Sequence, residues 1–452
     1  MRIERVNASG STTRAILIFA GWAMDSRPFA ALHKDGYDIY VAYDYRDMDA
    51  DTRLLDHYDE ICVIAWSWGV PSAASFISGH PDMPVTAAIA VNGTLTPIDD
   101  ERGIPANIFQ GTLDGLTEAS LLKFYRRVCG SASAYRKFAE STPRREFESL
   151  KPELEAIRDN SHAAKVSPLI FDRVIIGDAD MIIPTANQWR GWEGHPCVTG
   201  IAASHLPDFQ QIIDLYIRDK SLIGERFSSA SDTYPDEARV QRHIAGHLAE
   251  LWRDCDVMKR SGRVIEFGVG CGFMTAHYIH EPWCKDATLI DLYPGISGVE
   301  TGDAETYRFA PQQYDTIVSA SAMQWFNSPR RFLQRAADAL PSGSMIVLSG
   351  FGERHFSELH DIIPRSLYYY STEEFASLVP DGLQIVATED EEIRMDFKDM
   401  RELLSHLRLT GVNAVVSHRA VGITRRILTS LHEQTPPLHL TYNPTYYILK
   451  KI

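Results

Sequence analysis

Two successive series of short, unbroken apolar runs constrain this chain more than any other feature. The first comprises residues 15–20 (AILIFA), 38–43 (DIYVAY), 61–65 (ICVIA), 86–91 (TAAIAV), 173–177 (RVIIG) and 197–201 (CVTGI). The second comprises 263–267 (RVIEF), 287–291 (ATLID), 314–319 (YDTIVS), 344–349 (SMIVLS) and 384–388 (QIVAT). Runs that are apolar at nearly every position suit parallel strands covered on both faces. Helical patterns lie between most of them, so the expected class is α/β, twice over. Residues 438–441 and 446–450, flanking Asn443-Pro444, predict a terminal hairpin. A chain of 452 residues exceeds what one core holds. The short polar stretch 219–226 (DKSLIGER) is the expected join, giving domains 1–220 and 221–452. The gap from 99 to 168 is too long for a simple connection. It holds helical stretches such as Glu118–Arg127 and reads as an inserted helical cap.

Charge and hydropathy remove several function classes. The net charge of −15 argues against nucleic acid as a partner, since phosphate binding needs a basic face. Ile61 to Pro81 carries no charge over a length that could span a bilayer, but Pro71, four serines and two glycines make it too polar for a membrane helix. A strand, a tight turn and a buried helix account for it. The run after Arg14 reads as a buried strand ending in a glycine turn rather than a signal peptide. Cys62, Cys129, Cys197, Cys255, Cys271 and Cys284 show no metal-knuckle or redox spacing, so no metal is expected, and free thiols suit a cytoplasmic location.

In the first half, Ala65-Trp66-Ser67-Trp68-Gly69 follows directly on an apolar strand and precedes a helix of small residues. A serine at such a turn stands exposed above the sheet, and small neighbours two residues to either side let the backbones approach. Asp180 follows the strand 173–177, with Asp178 as a nearby competitor, and His205 follows the last strand. Serine, acid, histidine is the chain order of a nucleophile, an orienting carboxylate and a general base in this kind of sheet. Gly21 ends the first run and lets a backbone N–H turn toward the nucleophile, so the N–H groups of Trp22 and Trp68 are the oxyanion-hole candidates. The indoles of Trp22, Trp66 and Trp68 are expected to wall an apolar acyl pocket, with core packing the equal alternative for Trp66. His162 and His195 lack a position after a strand and read as surface residues.

In the second half, Glu266-Phe267-Gly268-Val269-Gly270-Cys271-Gly272 follows a strand. A glycine turn there brings backbone N–H groups to a ligand. A dinucleotide fingerprint would need a glycine at 273, where Phe273 stands. An acid two residues before the first glycine points instead to S-adenosyl-L-methionine, with Glu266 at its methionine end. Asp291 ends the next strand, where a carboxylate accepts ribose hydroxyls, and Asp303, beside Ala304, is placed to meet the adenine amine.

These residues carry two resemblances. Phe19-x-Gly21-Trp22-x-Met24-Asp25, the Ser67 turn, Asn92-Gly93-Thr94 with Pro97-Ile98-Asp99, and Asn187-Gln188 resemble the pimeloyl-[acyl-carrier protein] methyl ester esterases of biotin synthesis, in their minimal-cap branch, over residues 1 to about 220. Phe227-x-x-Ala230-x-x-Thr233-Tyr234 with Gln241, Ser319-x-Ser321-Ala322-Met323-Gln324-Trp325-Phe326, Ser349-x-Phe351-Gly352 and Thr410-Gly411-Val412-Asn413-Ala414 resemble the malonyl-[acyl-carrier protein] O-methyltransferases of the same pathway, over about 222–452. Ala65, Val269 and Cys271 depart from the usual patterns without losing a small side chain or a glycine position. The resemblances imply an α/β-hydrolase sheet with a small helical cap, followed by a Rossmann-like class I methyltransferase domain. They imply a methyl-acceptor site at Tyr234, Gln324 and Trp325, although Tyr234 and Gln324 could equally pack over the cofactor. The implied partner is an acyl carrier protein, with no nucleic acid and no membrane. Lys123, Arg126, Arg127, Arg136, Lys137, Arg144 and Arg145, against one acid, Glu140, are expected to form a basic face on the cap for that acidic carrier. The rival readings are a generic carboxylesterase fused to a natural-product O-methyltransferase, and a degenerate hydrolase serving only to dock the carrier.

Overall fold

The structure is a computed structural model that describes residues 1–10, 12–160, 166–230, 233–255, 262–359, 367–410 and 438–452. It divides into two compact units, Met1–Ile213 and Asp214–Ile452. No helix among the described residues is long and apolar enough to cross a membrane.

The first unit is built on β1 (Arg2–Asn7), β2 (Arg14–Phe19), β3 (Asp38–Tyr43), β4 (Glu60–Trp66), α1 (Gly69–Gly79) and β5 (Val85–Val91). Four helices follow as the insertion: α2 (Ala106–Asp114), α3 (Glu118–Cys129), α4 (Ala132–Ala139) and α5 (Phe147–Asn160). The sheet then resumes with β6 (Arg173–Gly177), α6 (Thr185–Gly191) and β7 (Val198–Ile201), before α7 (Phe209–Tyr216). Strand order is β1-β3-β2-β4-β5-β6-β7. All pairings are parallel except the edge strand β1, which the apolar pattern did not reveal because it is half exposed. Every residue of β3 and β4 is buried, as their continuous apolar runs require. The uncharged segment after Glu60 is therefore β4, a tight turn and α1, whose Gly69, Ser72, Ala73 and Ala74 are buried.

The second unit opens with α8 (Lys220–Ala230), α9 (Tyr234–Glu237) and α10 (Arg239–Asp254). It continues with β8 (Arg263–Phe267), β9 (Asp286–Asp291), β10 (Glu300–Thr301), β11 (Thr316–Ser319), α11 (Pro329–Ala339) and β12 (Met345–Phe351). It closes with α12 (Thr372–Leu378), β13 (Leu383–Asp390), β14 (Ile393–Phe397), α13 (Met400–Leu409), β15 (Leu438–Tyr442) and β16 (Pro444–Lys451). Its main sheet runs β10-β9-β8-β11-β12-β16-β13, with β16 antiparallel to both neighbours.

Two expectations change here. Segment 219–226 is not a bare linker but falls largely within α8, with Lys220, Leu222 and Ile223 buried. The terminal hairpin does not form: β15 pairs with β14, and β16 enters the main sheet between β12 and β13. Only Asn443 separates β15 from β16, too short a gap for a hairpin loop, and Pro444 has no N–H to give to a hairpin ladder. Six successive residues from Pro444 are buried, which only an interior strand with both faces covered can provide. Gly411–Ala414 of the expected motif and His162 lie outside the described residues.

Each sheet has one place where successive connections leave in opposite directions. In the first it lies between β2 and β4, and in the second between β8 and β11. Loops that diverge at such a point open a crevice at the carboxyl ends of the strands. Gly21-Trp22 and Ser67 flank the first crevice. Gly268–Gly272 and Ala320-Ser321 flank the second.

Candidate active sites

Ser67 is the first of the two residues between β4 and α1 and has φ +58°. That is left-handed backbone, which costs a non-glycine residue roughly 1–3 kcal/mol. Its neighbours hold it there. A Cβ on Gly69 would lie 2.2 Å from the Phe19 carbonyl oxygen, and one on Gly93 2.4 Å from the Ser67 carbonyl oxygen. Only glycine allows strand, turn and helix to close up so tightly. The expectation of small neighbours is thus met at 69 by steric necessity.

His205 brings Nε2 to 2.9 Å from Ser67 Oγ and Nδ1 to 2.8 Å from Asp180 Oδ2. Both side chains are fully buried. Asp180 also accepts the backbone N–H groups of Ile182 and Ile183 at Oδ1 and the Gln188 amide at Oδ2. The competitor Asp178 is exposed. Asn92, itself left-handed at φ +44°, donates to the carbonyls of Ser204 and His205 and accepts the Gly177 N–H. It thereby ties the histidine loop to the end of β6. Sequence reasoning quoted Asn92 and Gln188 only as parts of a resemblance; their roles appear once three strand ends are adjacent.

Trp22 and Trp68 line a small apolar pocket of about 70 Å³ over Ser67, with Ile98, Phe109, Ile157 and Ile183 among its walls. Trp66 does not. Its indole N–H donates to the His205 carbonyl at 2.7 Å and its ring packs under the imidazole, so the core alternative holds for it. Among the described residues, the backbone N–H groups of Trp22 and Trp68 donate to no protein acceptor. Gly21 brings the first of them close, since a Cβ there would lie 3.1 Å from Ser67 Cβ. His195 is not a surface residue: it is buried, with Nε2 at the Phe171 carbonyl and Nδ1 accepting the Cys197 N–H.

The basic stretch is not one continuous face either. Lys123, Arg126, Arg136, Lys137 and Arg144 are exposed. Arg145 is buried between Asp44 (3.0 Å) and Glu153 (3.1 Å). Arg127 is exposed as well, but its guanidinium donates to the Met181 carbonyl at 2.6 Å and it lines the pocket. Spacing along a helix cannot tell a solvated arginine from one that serves a neighbouring loop.

In the second unit a cavity of about 650 Å³ opens at the ends of β8, β9 and β11. Gly268 and Gly270, at φ +73° and +57°, line it with Glu266, Asp291, Asp303 and Ala304. Gly272 does not; at φ +83° it closes the turn, its N–H donating to Val269. Asp291 accepts the N–H of Gly270 and of Tyr293, one on each oxygen (both 2.8 Å). Glu266 is buried and accepts the hydroxyls of Thr275 and Tyr278. Burial pushes its carboxyl up to about 7 despite those two bonds. Asp303 Oδ2 lies 2.6 Å from the buried ammonium of Lys220, which also meets Glu305 at 3.1 Å. Lys220 was missed, because a Lys in a polar stretch carries no signal until the helix bearing it is packed.

Tyr234 and Trp325 wall the same cavity. Gln324 lies behind them on an adjoining chamber of about 20 Å³, shared with Tyr234, Trp325, Gln241 and Ser321. The Gln324 amide donates to the Ser321 carbonyl. Gln324 Oε1, Gln241 Oε1 and Ser321 Oγ are buried without a protein partner among the described residues. Unsatisfied polar atoms packed beside a cavity are costly unless a ligand meets them.

Residues 1–213 match the family model described as pimeloyl-ACP methyl esterase BioG, and residues 237–408 match a methyltransferase domain. A malonyl-[acyl-carrier protein] O-methyltransferase of Bacteroides fragilis (strain 638R) is 35% identical over 457 residues, covering 97% of this chain and 93% of that protein. A protein of the same description from Bacteroides thetaiotaomicron is 33% identical over 259 residues, covering 52% of this chain and 98% of that protein. The solved structure of BioG from Haemophilus influenzae is 33% identical, covers 45% of this chain and 94% of that one, and aligns with a TM-score of 0.42.

The geometry around Ser67 makes a direct prediction. A fluorophosphonate should label Ser67 and no other serine, read by peptide mass spectrometry. His205→Asn should slow that labelling at least about 100-fold, the usual worth of a general base. Equal labelling of the variant would mean that the 2.9 Å contact does not activate the hydroxyl.

Proposed function

The chain belongs to the malonyl-[acyl-carrier protein] O-methyltransferase family, and from that premise we propose two complementary activities of biotin synthesis in one polypeptide. The second unit methylates the free carboxylate of malonyl-[acyl-carrier protein], and the first hydrolyses the methyl ester once the chain has grown to pimeloyl length. The Ser67–His205–Asp180 relay, complete within the first unit, is the observation that carries the second activity and disfavours a degenerate docking domain. A cytosolic setting belongs to the same reading, since six cysteines without disulfide partners suit a reducing compartment.

Hydrolysis follows from the geometry. Ser67 Oγ attacks the ester carbonyl while His205 Nε2 takes its proton. Asp180 keeps the ring proton on Nδ1 and stabilises the imidazolium. The N–H groups of Trp22 and Trp68 receive the oxyanion. His205 then delivers the proton to the departing methanol oxygen, and water repeats the sequence on the acyl-enzyme.

The second cavity fits S-adenosyl-L-methionine. Its volume is within the ordinary range for ligand sites of this size. Gly268 and Gly270 admit close approach, Asp291 suits the ribose hydroxyls, Asp303 the adenine amine, and buried Glu266 a cationic amino group. That cofactor supplies an activated methyl group on a sulfonium. A malonyl carboxylate, with a pKa of about 4 or less, is already ionised at pH 7 and needs no general base. What remains for Tyr234, Gln324 and Trp325, with Gln241 and Ser321 beside them, is to orient that carboxylate and exclude water.

Glu266 sets a pH dependence. Its carboxyl stands at about 7 before a cation arrives, and only the ionised form attracts one. Affinity for S-adenosylhomocysteine, measured by calorimetry, should rise with pH through 7 and then level off. One unit below, it should be roughly tenfold weaker. Glu266→Gln should bind more weakly and show no such slope; an unchanged slope would remove Glu266 from the site.

The two-site reading is tested by separation. Ser67→Ala should abolish ester hydrolysis and leave methyl transfer intact. Asp291→Ala should do the reverse, by weakening cofactor binding. If a folded Ser67→Ala protein lost methyl transfer, the two sites would not be independent.

The carrier partner is acidic, and the exposed cap residues Lys123 and Arg126, next in sequence to the pocket residues Phe124 and Arg127 on α3, present the opposite charge together with Arg136 and Lys137 on α4. Steering of this kind acts on encounter and weakens with salt. Lys123→Glu with Arg126→Glu should slow cleavage of carrier-linked ester, mostly at low ionic strength, and leave a soluble nitrophenyl ester unaffected. Equal loss on both substrates would rule out docking. Arg127 is unsuitable for this test because its side chain serves the pocket.

A further inference from the structure

Helix α3 does more than cover the esterase pocket. Its N-terminus is set by a capping box between Thr117 and Ser120, and its charges follow the helix dipole, with Glu118 in the first turn and Arg126 and Arg127 in the last. Four of its last five residues reach the three loops that hold the catalytic groups. Tyr125 Oη donates to the Ala23 carbonyl at 3.0 Å, one residue beyond Trp22 in the oxyanion loop. Arg127 donates to the Met181 carbonyl at 2.6 Å, one residue beyond Asp180. The Val128 carbonyl accepts the Leu206 N–H at 3.0 Å, one residue beyond His205. The Cys129 carbonyl accepts Ser204 Oγ at 3.1 Å, one residue before it. Gly130, left-handed at φ +70°, ends the helix so tightly against Ser204 that a Cβ there would lie 2.6 Å from the serine Cβ.

The oxyanion loop depends on the insertion in other ways too. Ala23 is held left-handed at φ +63°. Met24 O accepts from Arg145, and the Asp25 carboxylate accepts the Arg144 N–H. The Trp22 indole donates to the Leu150 carbonyl on α5, and its ring meets Phe124 of α3 edge-on. The sheet places the three loops at one edge, and α3 is hydrogen-bonded to all three.

We propose that α3 is the strut that sets the catalytic geometry of the esterase, with Tyr125 and Arg127 as positioning residues that touch no reacting atom. Tyr125 fixes the loop that presents the Trp22 N–H. Arg127 fixes the loop that presents Asp180. The inference rests on the reading of Ser67, His205 and Asp180 as a hydrolytic relay. It further implies that a partner docking on the outer face of α3 presses on the helix that aligns the site.

The test uses the full chain and a soluble nitrophenyl ester, with active sites counted by fluorophosphonate titration so that misfolded protein does not enter the rate. Tyr125→Phe keeps the ring and removes one hydrogen bond. Its kcat should fall about tenfold, less than loss of an oxyanion donor would cost, with KM within twofold. Arg127→Met should lower kcat about tenfold with KM within twofold, because a loosened Asp180 no longer holds the His205 ring in place. Arg127→Lys, which can still donate to the Met181 carbonyl, should restore most of that kcat. Wild-type kcat in Tyr125→Phe or in Arg127→Met, or a loss confined to KM, would overturn the strut. A wild-type protein with no esterase activity would instead overturn the hydrolytic reading beneath it.

Discussion

A parallel strand covered on both faces can offer chemistry only at its ends. Its backbone groups are spent on its neighbours and its side chains on packing. Both sheets here obey that constraint, and most of the functional groups follow from it. Ser67, Asn92, Asp180 and His205 lie just past the carboxyl ends of β4, β5, β6 and β7. Glu266 and Asp291 lie within or at the ends of β8 and β9, and Ser321 just past β11. The register brings those ends together: Trp66 is level with Val91, and Val91 with Ile175. Chemistry then collects where neighbouring loops diverge, because only there does the edge open into a crevice.

The chain bends sharply as it leaves these strands, at Gly268 and Gly270 after β8 but elsewhere often at non-glycine residues. Ala23, Asp44, Ser67, Asn92 and Ser321 are all left-handed and all stand within a few residues of a strand's carboxyl end. Such conformations persist only where the surroundings over-determine them. For Ser67 the surroundings are two close backbones admitted by Gly69 and Gly93. For Asn92 they are three hydrogen bonds made by its own side chain. The nucleophile is exposed to substrate because the turn that bears it has no relaxed alternative.

Each unit also buries one cation between two carboxylates. Arg145 joins Asp44, just past β3, to Glu153 on α5; Lys220 of α8 joins Asp303, just past β10, to Glu305. Burying such groups is expensive, and removing one partner would leave a charge stranded, at a cost of about 3–5 kcal/mol. Burial raises the Glu153 carboxyl above its usual range, with Arg145 opposing the shift. In both cases a cation from outside the sheet meets a carboxylate just past a strand's carboxyl end. These clusters hold a cover in place over a cavity more than they stabilise a core.

Much of this was legible in order along the chain. Continuous apolar runs announced two largely parallel sheets because the central strands are buried on both faces and leave no polar alternation; the runs at 197–201 and 384–388 proved instead to be half-exposed edge strands, the second of them antiparallel. Ser67, Asp180 and His205 announced themselves by following strands in turn, and Gly268 and Gly270 by forming a glycine turn where a strand stops. Those signals are local, since each is a property of the few residues around it. Only the tertiary structure decided what depends on which elements become neighbours. Pro444 looked like part of a hairpin until both faces of β16 had to be covered. Trp66 looked like a pocket wall until its indole met the His205 carbonyl. Lys220 looked like linker, and Arg145 like solvated surface, until packing gave each an acceptor from a distant part of the chain. A side chain's type and spacing fix what it can donate or accept, but the acceptor it finds is set by the fold.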